Sequence, residues 1–286
     1  MPPSRVVRHR SERDRWEMIH GAPDPRLRGY VGSYCSYDER TGSFARRREL
    51  PSDRVVLIVN LGRPIRVLAR GGDADWTVQP DGFLAGLSDT YAVTETRGAQ
   101  RGVQVDLTAV GAHLLLRLPM HEVTGRVVTL EELLGRSGAL LREVVAEADG
   151  WEGRFAALDA FFVDRLDQAR SPVPNVTRAL GRLRETGGAM RVGALAAELG
   201  CSRRHLVAQF REQVGVPPKL LARILRFERA VALVDDAAPM GWAEIAATCG
   251  YYDQAHLVRD FRQFTGSAPG DFARRRLPDG GGTVGD

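Results

Sequence analysis

The chain has 286 residues, 43% of them hydrophobic and 27% charged, with a formal net charge of +4; this is the composition of a globular protein long enough for two domains. No run of about 18 apolar residues is present for a membrane span, and basic Met1–Arg15 lacks the apolar stretch of a secretory signal, so a cytoplasmic protein without membrane partners is expected. Cys35, Cys201 and Cys249 are odd in number, far apart and free of CxxC spacing, which disfavours a disulfide framework or a zinc site.

The charge is unevenly placed. Residues 1–171 hold 24 Lys/Arg and 24 Asp/Glu, whereas residues 172–277 hold 16 Lys/Arg against 10 Asp/Glu. The excess positive charge therefore sits in the C-terminal third, as neutralisation of phosphates would require.

Residues 1–25 are charged, contain Pro23 and Pro25, and read as an arm or irregular lead-in. From Leu27 to about Leu118 the pattern is that of short strands. Arg54–Asn60 is a β-branched run ended by Gly62 and Pro64, and Ile65–Leu68, Tyr91–Thr96 and Gly102–Leu107 alternate between turn signals at Gly71-Gly72, Asp81-Gly82 and Gly98. An antiparallel barrel or sandwich is predicted. Thr129-Leu-Glu-Glu132 has the form of a capping box and opens a helical stretch that Gly135 and Gly138 interrupt. Trp151–Leu166 is a second amphipathic segment. The pair are either core helices or a dimerisation surface. Two prolines make Ala169–Pro174 a linker, Val176–Thr186 a helix ended by Gly187-Gly188, and Pro278–Asp286 a disordered tail.

A pattern then occurs twice. His205, Leu206, Phe210, Arg211, Gly215 and Pro218 recur 51 positions later as His256, Leu257, Phe261, Arg262, Gly266 and Pro269. Each copy follows a short helix and a glycine, Gly200 or Gly250, with the second turn one residue longer. A repeated helix, glycine turn and helix predicts two helix-turn-helix units, and these point to DNA. In the first unit, Val192–Leu199 precedes Ser202–Gln213, capped by Ser202, with Leu206, Phe210 and Val214 as its buried stripe. Arg203, Arg204, Val207, Ala208 and Arg211 lie off the stripe and are free to meet DNA. In the second, Trp242–Cys249 precedes Asp253–Phe264, capped by Asp253, with Leu257, Phe261 and Phe264 buried. Gln254, His256, Val258, Arg259 and Arg262 face the groove. Arginine can pair with guanine and glutamine with adenine, and valine or alanine can pack on the thymine methyl. His205 is either scaffold or a phosphate contact. Pro218–Asp235 reads as one long spacer helix whose Arg223 would touch phosphate.

The run Ile245-Ala-x-x-x-Gly250-Tyr-x-Asp-x-x-His-Leu257-x-Arg259-x-Phe261-Arg-x-Phe264-x-Gly266-x-x-Pro269 resembles the signature of AraC/XylS-type transcription regulators, and the resemblance spans about residues 175–276. It implies a bipartite DNA reader whose base-contacting positions map to Arg204, Val207 and Ala208 in the first helix. In the second they map to Gln254, Ala255, His256, Val258 and Arg259. Small Val207 and Ala208 stand where such readers often carry long polar residues, so the first helix is expected to read little beyond Arg204. Leu50-Pro51-Ser52-Asp53, Val59-Asn60-Leu-Gly62, Ala85-Gly86-Leu87 and Gly102–Gly111 resemble the N-terminal part of actinobacterial regulators of the same type. Such domains are often cupin-like barrels followed by helices that sense an effector or dimerise.

The expectation is an α+β protein. Residues 1–170 form a β-rich sensing or dimerising domain with following helices, 171–278 an all-α double helix-turn-helix domain, and 279–286 a tail. Its partners would be double-stranded promoter DNA, a small-molecule effector and a second copy of the chain, with RNA polymerase in addition for an activator. Repression is the other sense of regulation. His20, His113 and His121 lack the clustered spacing of a cupin metal site, so neither metal nor cofactor is expected. No P-loop, HExxH, Gly-x-Ser-x-Gly or dinucleotide glycine fingerprint occurs. The competing reading is a bifunctional protein whose cupin-like domain is catalytic.

Overall fold

The computed structural model describes residues 5–12, 14–42, 46–68, 75–96, 98–169, 172–235, 240–275 and 283–284. The charged N-terminus, expected to be irregular, forms a hairpin. Strand β1 (Arg5–Arg10) runs antiparallel to β2 (Asp14–Gly21), which pairs in turn with β3 (Val31–Thr41). Its charges suit a strand because β1 is an exposed sheet edge, and His9 stacks on Trp16 with ring centroids 3.9 Å apart. Pro23 and Pro25 lie beyond the hairpin, where a missing N–H costs no ladder bond.

Next come β4 (Arg46–Glu49), β5 (Arg54–Asn60), β6 (Ile65–Leu68), β7 (Thr77–Gln79), β8 (Gly82–Ala85), β9 (Ala92–Glu95) and β10 (Ala99–Thr108). With β11 (Val127–Thr129) and β12 (Thr283–Val284) they make two antiparallel sheets. The larger runs β1-β2-β3-β10-β5-β8-β11 and the smaller β12-β4-β9-β6-β7. Alternation decides which side of each strand is buried, and Ile58 and Phe83 of the larger sheet meet Ile65 and Val67 of the smaller. The expected turn at Gly71-Gly72 lies outside the described residues. The expected tail lies there too, except for Thr283–Val284, whose backbone pairs with Arg47 and Arg48.

The strand pattern does not continue to Leu118. Residues Ala109–Leu116 are helix α1, started by the Thr108 hydroxyl, which accepts from the Gly111 N–H at 3.0 Å. This helix is buried nearly all round, so its apolar run has no helical period to separate it from a buried strand. The capping box holds: the Glu132 N–H donates to Thr129 Oγ1 at 3.1 Å and the Thr129 N–H to Glu132 Oε2 at 2.9 Å. It opens α2 (Leu130–Leu134), which Gly135 separates from α3 (Arg136–Glu147). Helix α4 (Gly150–Asp167) packs on α3 and buries Phe155, Leu158 and Phe162, with the Phe155 ring against Tyr34 of β3 at 5.2 Å between centroids.

The C-terminal part is helical throughout. It comprises α5 (Pro174–Glu185), α6 (Val192–Glu198), α7 (Arg203–Gln213), α8 (Pro218–Asp235), α9 (Trp242–Thr248), α10 (Gln254–Thr265) and α11 (Pro269–Arg275). The apolar core divides in an unexpected place. Buried residues of the first unit (Leu206, Phe210, Val214) belong to one continuous core with Leu116, Met120 and Val123 of the N-terminal part. The second unit has its own core of Phe227, Ile245, Leu257, Phe261, Phe264 and Phe272. The seam runs along α8, whose Leu221 and Ala222 join the first core and Ile224 and Phe227 the second.

Candidate DNA-reading surface and the cavity behind it

Both reading helices, α7 and α10, start as their sequences dictate. The Ser202 hydroxyl accepts from the His205 N–H at 3.2 Å, and the Asp253 carboxylate from the His256 N–H at 2.7 Å. The turns ahead of them need the left-handed backbone at Gly200 and Gly250, at φ +65° and +76°. The stripes Leu206–Phe210–Val214 and Leu257–Phe261–Phe264 are wholly buried. Burial of these faces fixes which side chains remain outside.

On the outer face of α7, Arg203, Arg204, Val207, Ala208 and Arg211 line one shallow concavity. Arg203 leans back over Gly193 of α6, which leaves Arg204 the freer of the two guanidinium groups. On α10, Gln254, Ala255, Arg259 and Arg262 are exposed, and Val258 and His256 half-buried. His256 is held edge-on against the Tyr251 ring, with centroids 5.1 Å apart, so part of its role is scaffold. His205 is exposed, which removes the buried-scaffold reading.

Two assignments change. Arg223, expected at a phosphate, is engaged within the protein: its guanidinium donates to Asp260 at 2.6 Å and to Gln263 at 2.7 Å, tying α8 to α10. The Asp260 side chain is 2% exposed, so its charge needs that partner. The residue missed from sequence is Tyr252, which is 94% exposed in the turn just ahead of α10. The lengthened second turn is the only signal of it, and Tyr251-Tyr252 alone does not say which ring is buried.

Behind the reading surface, the reader is bolted to the β-rich half. Arg184 of α5 pairs with Asp53 at 2.7 Å, and the Asp53 N–H donates to Glu228 of α8 at 3.0 Å. Arg48 donates to the Thr265 carbonyl at 3.1 Å, Gln263 to that of Asp89 at 3.1 Å, and the Thr90 hydroxyl to that of Gln263 at 3.2 Å. Gly215 (φ +90°) lies so close to Met120 and Thr124 that no side chain would fit. Between the sheets, closed on one side by α8, lies a cavity of about 710 Å³. Burial and nearby Asp53 push the Glu228 carboxyl up to about 7.

The histidines separate into unrelated settings. His20 lines the cavity with its Nε2 3.9 Å from the Cys35 sulfur, and burial and Arg5 lower its pKa. His113 Nδ1 lies 2.8 Å from the Leu118 carbonyl, and His121 Nδ1 lies 3.7 Å from Glu212. Among the described residues no three His, Cys, Asp or Glu side chains cluster as metal ligands would, and no helix is long and apolar enough to cross a membrane.

The fold is a pair of helix-turn-helix units joined to a two-sheet domain. Residues 195–275 match the family model described as "Helix-turn-helix domain", and residues 20–129 the one described as "Domain of unknown function (DUF6597)". Residues 195–275 of this chain are therefore a helix-turn-helix domain. None of the curated proteins compared with the chain is significantly similar to it. Among solved structures, ToxT from Vibrio cholerae O395 is similar at 12% identity, covering 84% of this chain and 97% of its own, with a TM-score of 0.47. The C-terminal domain of AraT, a response regulator from Geobacillus stearothermophilus, is 23% identical over 38% of this chain and 90% of its own, at 0.35. The xylose-binding transcription activator XylR is 20% identical over 43% and 38%, at 0.32. Likenesses at this level carry no weight for function.

Proposed function

We propose that the protein is a sequence-specific transcription regulator of the AraC/XylS type, whose α7 and α10 read two adjacent major grooves of one duplex. The observation that carries this reading is the duplicated unit, each copy with its hydrophobic stripe sealed and its arginine-bearing face outside. A major groove admits one α-helix, and arginine can donate two bonds to a guanine edge. Arg204 supports base readout from α7, with Val207 and Ala208 as thymine-methyl contacts and Arg203 and Arg211 on the backbone. From α10, Gln254, Ala255, His256, Val258 and Arg259 support base readout, and Arg262 phosphate contact. The 18 residues of α8 give a rigid spacer of roughly 27 Å at about 1.5 Å per residue, suited to sub-sites one DNA turn apart.

In this reading the β-rich half senses a small molecule in its cavity and dimerises through α3, where Leu140 and Val144 are 60% and 45% exposed one helical turn apart. The test is site selection from random DNA followed by footprinting. One protomer should protect a non-palindromic site with two different sub-sites about 10 bp apart. Inserting about 5 bp between them turns one sub-site to the far face, and affinity should fall towards the non-specific level. Unchanged binding to the lengthened site would mean that only one helix reads bases.

A further inference from the structure

Resting on the effector reading just given, we propose that the cavity takes an amphiphilic organic cation, an amine with a hydrocarbon body, whose ammonium group meets the Glu228 carboxylate on α8. The volume of about 710 Å³ is in the range of small-molecule sites. Much of the wall is apolar, with Val56, Ile58, Ile65 and Phe83 from the sheets and Phe227 and Val231 from the reader's spacer helix. A ligand there touches both halves of the protein at once.

The charges on the wall select the sign of the ligand. Four carboxylates line it, Glu39, Glu49, Asp106 and Glu228, against the guanidinium groups of Arg47 and Arg54. Arg47 and Glu39 pair at 3.1 Å, so their charges are spent on each other, and Arg54 is engaged by Asp53 at 3.1 Å. The remaining basic side chain on the wall, His20, has its protonated form disfavoured by burial and by Arg5. Glu228 receives one hydrogen bond, from the Asp53 N–H, while Arg184 is spent on Asp53. Burial and the Asp53 charge both oppose its ionised form, which a ligand cation would stabilise.

A second acceptor points the same way. Gln100 is 3% exposed and lines the cavity; its amide nitrogen donates to the Arg63 carbonyl at 3.4 Å, and its Oε1 has no hydrogen-bond partner. A buried acceptor without a donor is costly, so the site favours a ligand that donates. An anionic amphiphile would set its charge against Glu228 and Asp53, and a neutral one would add nothing to the Arg54 and Arg184 charges that act on Glu228. Because α8 carries part of both hydrophobic cores, an ammonium group at Glu228 acts on the element that sets the two reading helices apart. Linkage then requires that amine and operator DNA change each other's affinity by one common factor.

Calorimetric titration of the full chain with decylamine, decan-1-ol and decanoate, matched in chain length, tests the charge selection. Decylamine should bind at least about tenfold tighter than the other two and shift operator affinity. Glu228→Gln, which keeps the acceptor for the Asp53 N–H, should abolish that preference and leave decanol binding unchanged. Should this variant not fold, the order in which the natural chain binds the three probes decides by itself. Decanoate or decanol binding as tightly as the amine overturns the cation. If either of them also shifts operator affinity, the effector reading survives that failure. Binding by none of the three overturns both.

Discussion

Arg204 and Arg259 stand on different helices, each exposed beside a sealed stripe. Replacing either by alanine should cost about 1–3 kcal/mol of operator affinity and relax base preference at one sub-site only, the usual worth of a bidentate arginine–guanine pair. Competition assays on site variants measure this, and equal losses on cognate and scrambled DNA would reduce both residues to phosphate contacts. Glu228 makes a different kind of claim, about pH. Its neighbours are Asp53, Arg54 and Arg184, and its carboxyl is raised from 4.5 to about 7. The folded chain therefore binds this proton more tightly than the unfolded chain. The stability it confers is complete below about pH 4.5 and is lost as pH rises through about 7. Glu228→Gln removes that loss, so its Tm should exceed the natural protein's by ~5–10 °C at pH 8 and approach it below about pH 4.5. A difference that is the same at both pH values would show that ionisation of Glu228 is not its source.

At the scale of elements, α8 does more than space two reading helices. Its Arg223 closes on buried Asp260 and lies over the Phe264 ring at 5.0 Å, so the spacer and α10 form one rigid piece. Arg223→Ala would leave an uncompensated carboxylate in that joint. We expect a loss of about 3–5 kcal/mol in urea denaturation of the second unit, the usual penalty for breaking a buried pair from one side. A loss under about 1 kcal/mol together with a shallower salt dependence of DNA binding would return Arg223 to the phosphate role. Helix α3 is the opposite case. Leu141 and Val145 turn into the core, while Leu140 and Val144 stay outside. If these two form the dimer contact, the double substitution Leu140→Asp and Val144→Asp should yield a folded monomer in sedimentation. A natural chain that is already monomeric at high concentration would remove the premise.

At the scale of the whole molecule, the reader is not an independent bead on a linker. The first unit shares its hydrophobic core with Met120 and Val123, the second touches the β-rich half through Arg48 and Thr90, and Asp53 holds α5 and α8. The Val173 N–H, at the start of α5, donates to Gln213 of α7 at 3.3 Å. The contacts of Thr90 and of α8 with the second unit lie beside the cavity wall. That is the physical route by which a ligand there could change DNA affinity without touching DNA.

The sequence by itself determined the duplicated units, their caps, their glycine turns and the capping box at Thr129. Each is a local signal, written in side chains within one or two helical turns of one another. It also determined which faces of α7 and α10 are buried, because a 3.6-residue period leaves little choice. Local signals failed where burial or pairing comes from far along the chain. The charged hairpin β1–β2 is a strand pair because β3 offers an edge, and α1 loses its period because it is buried on all sides. Only the tertiary structure brought Asp53 to Glu228 across 175 positions, exposed Tyr252 rather than Tyr251, and gave Arg223 its buried partner. The cavity is likewise a product of assembly, since its walls come from two sheets and a helix that share no sequence period.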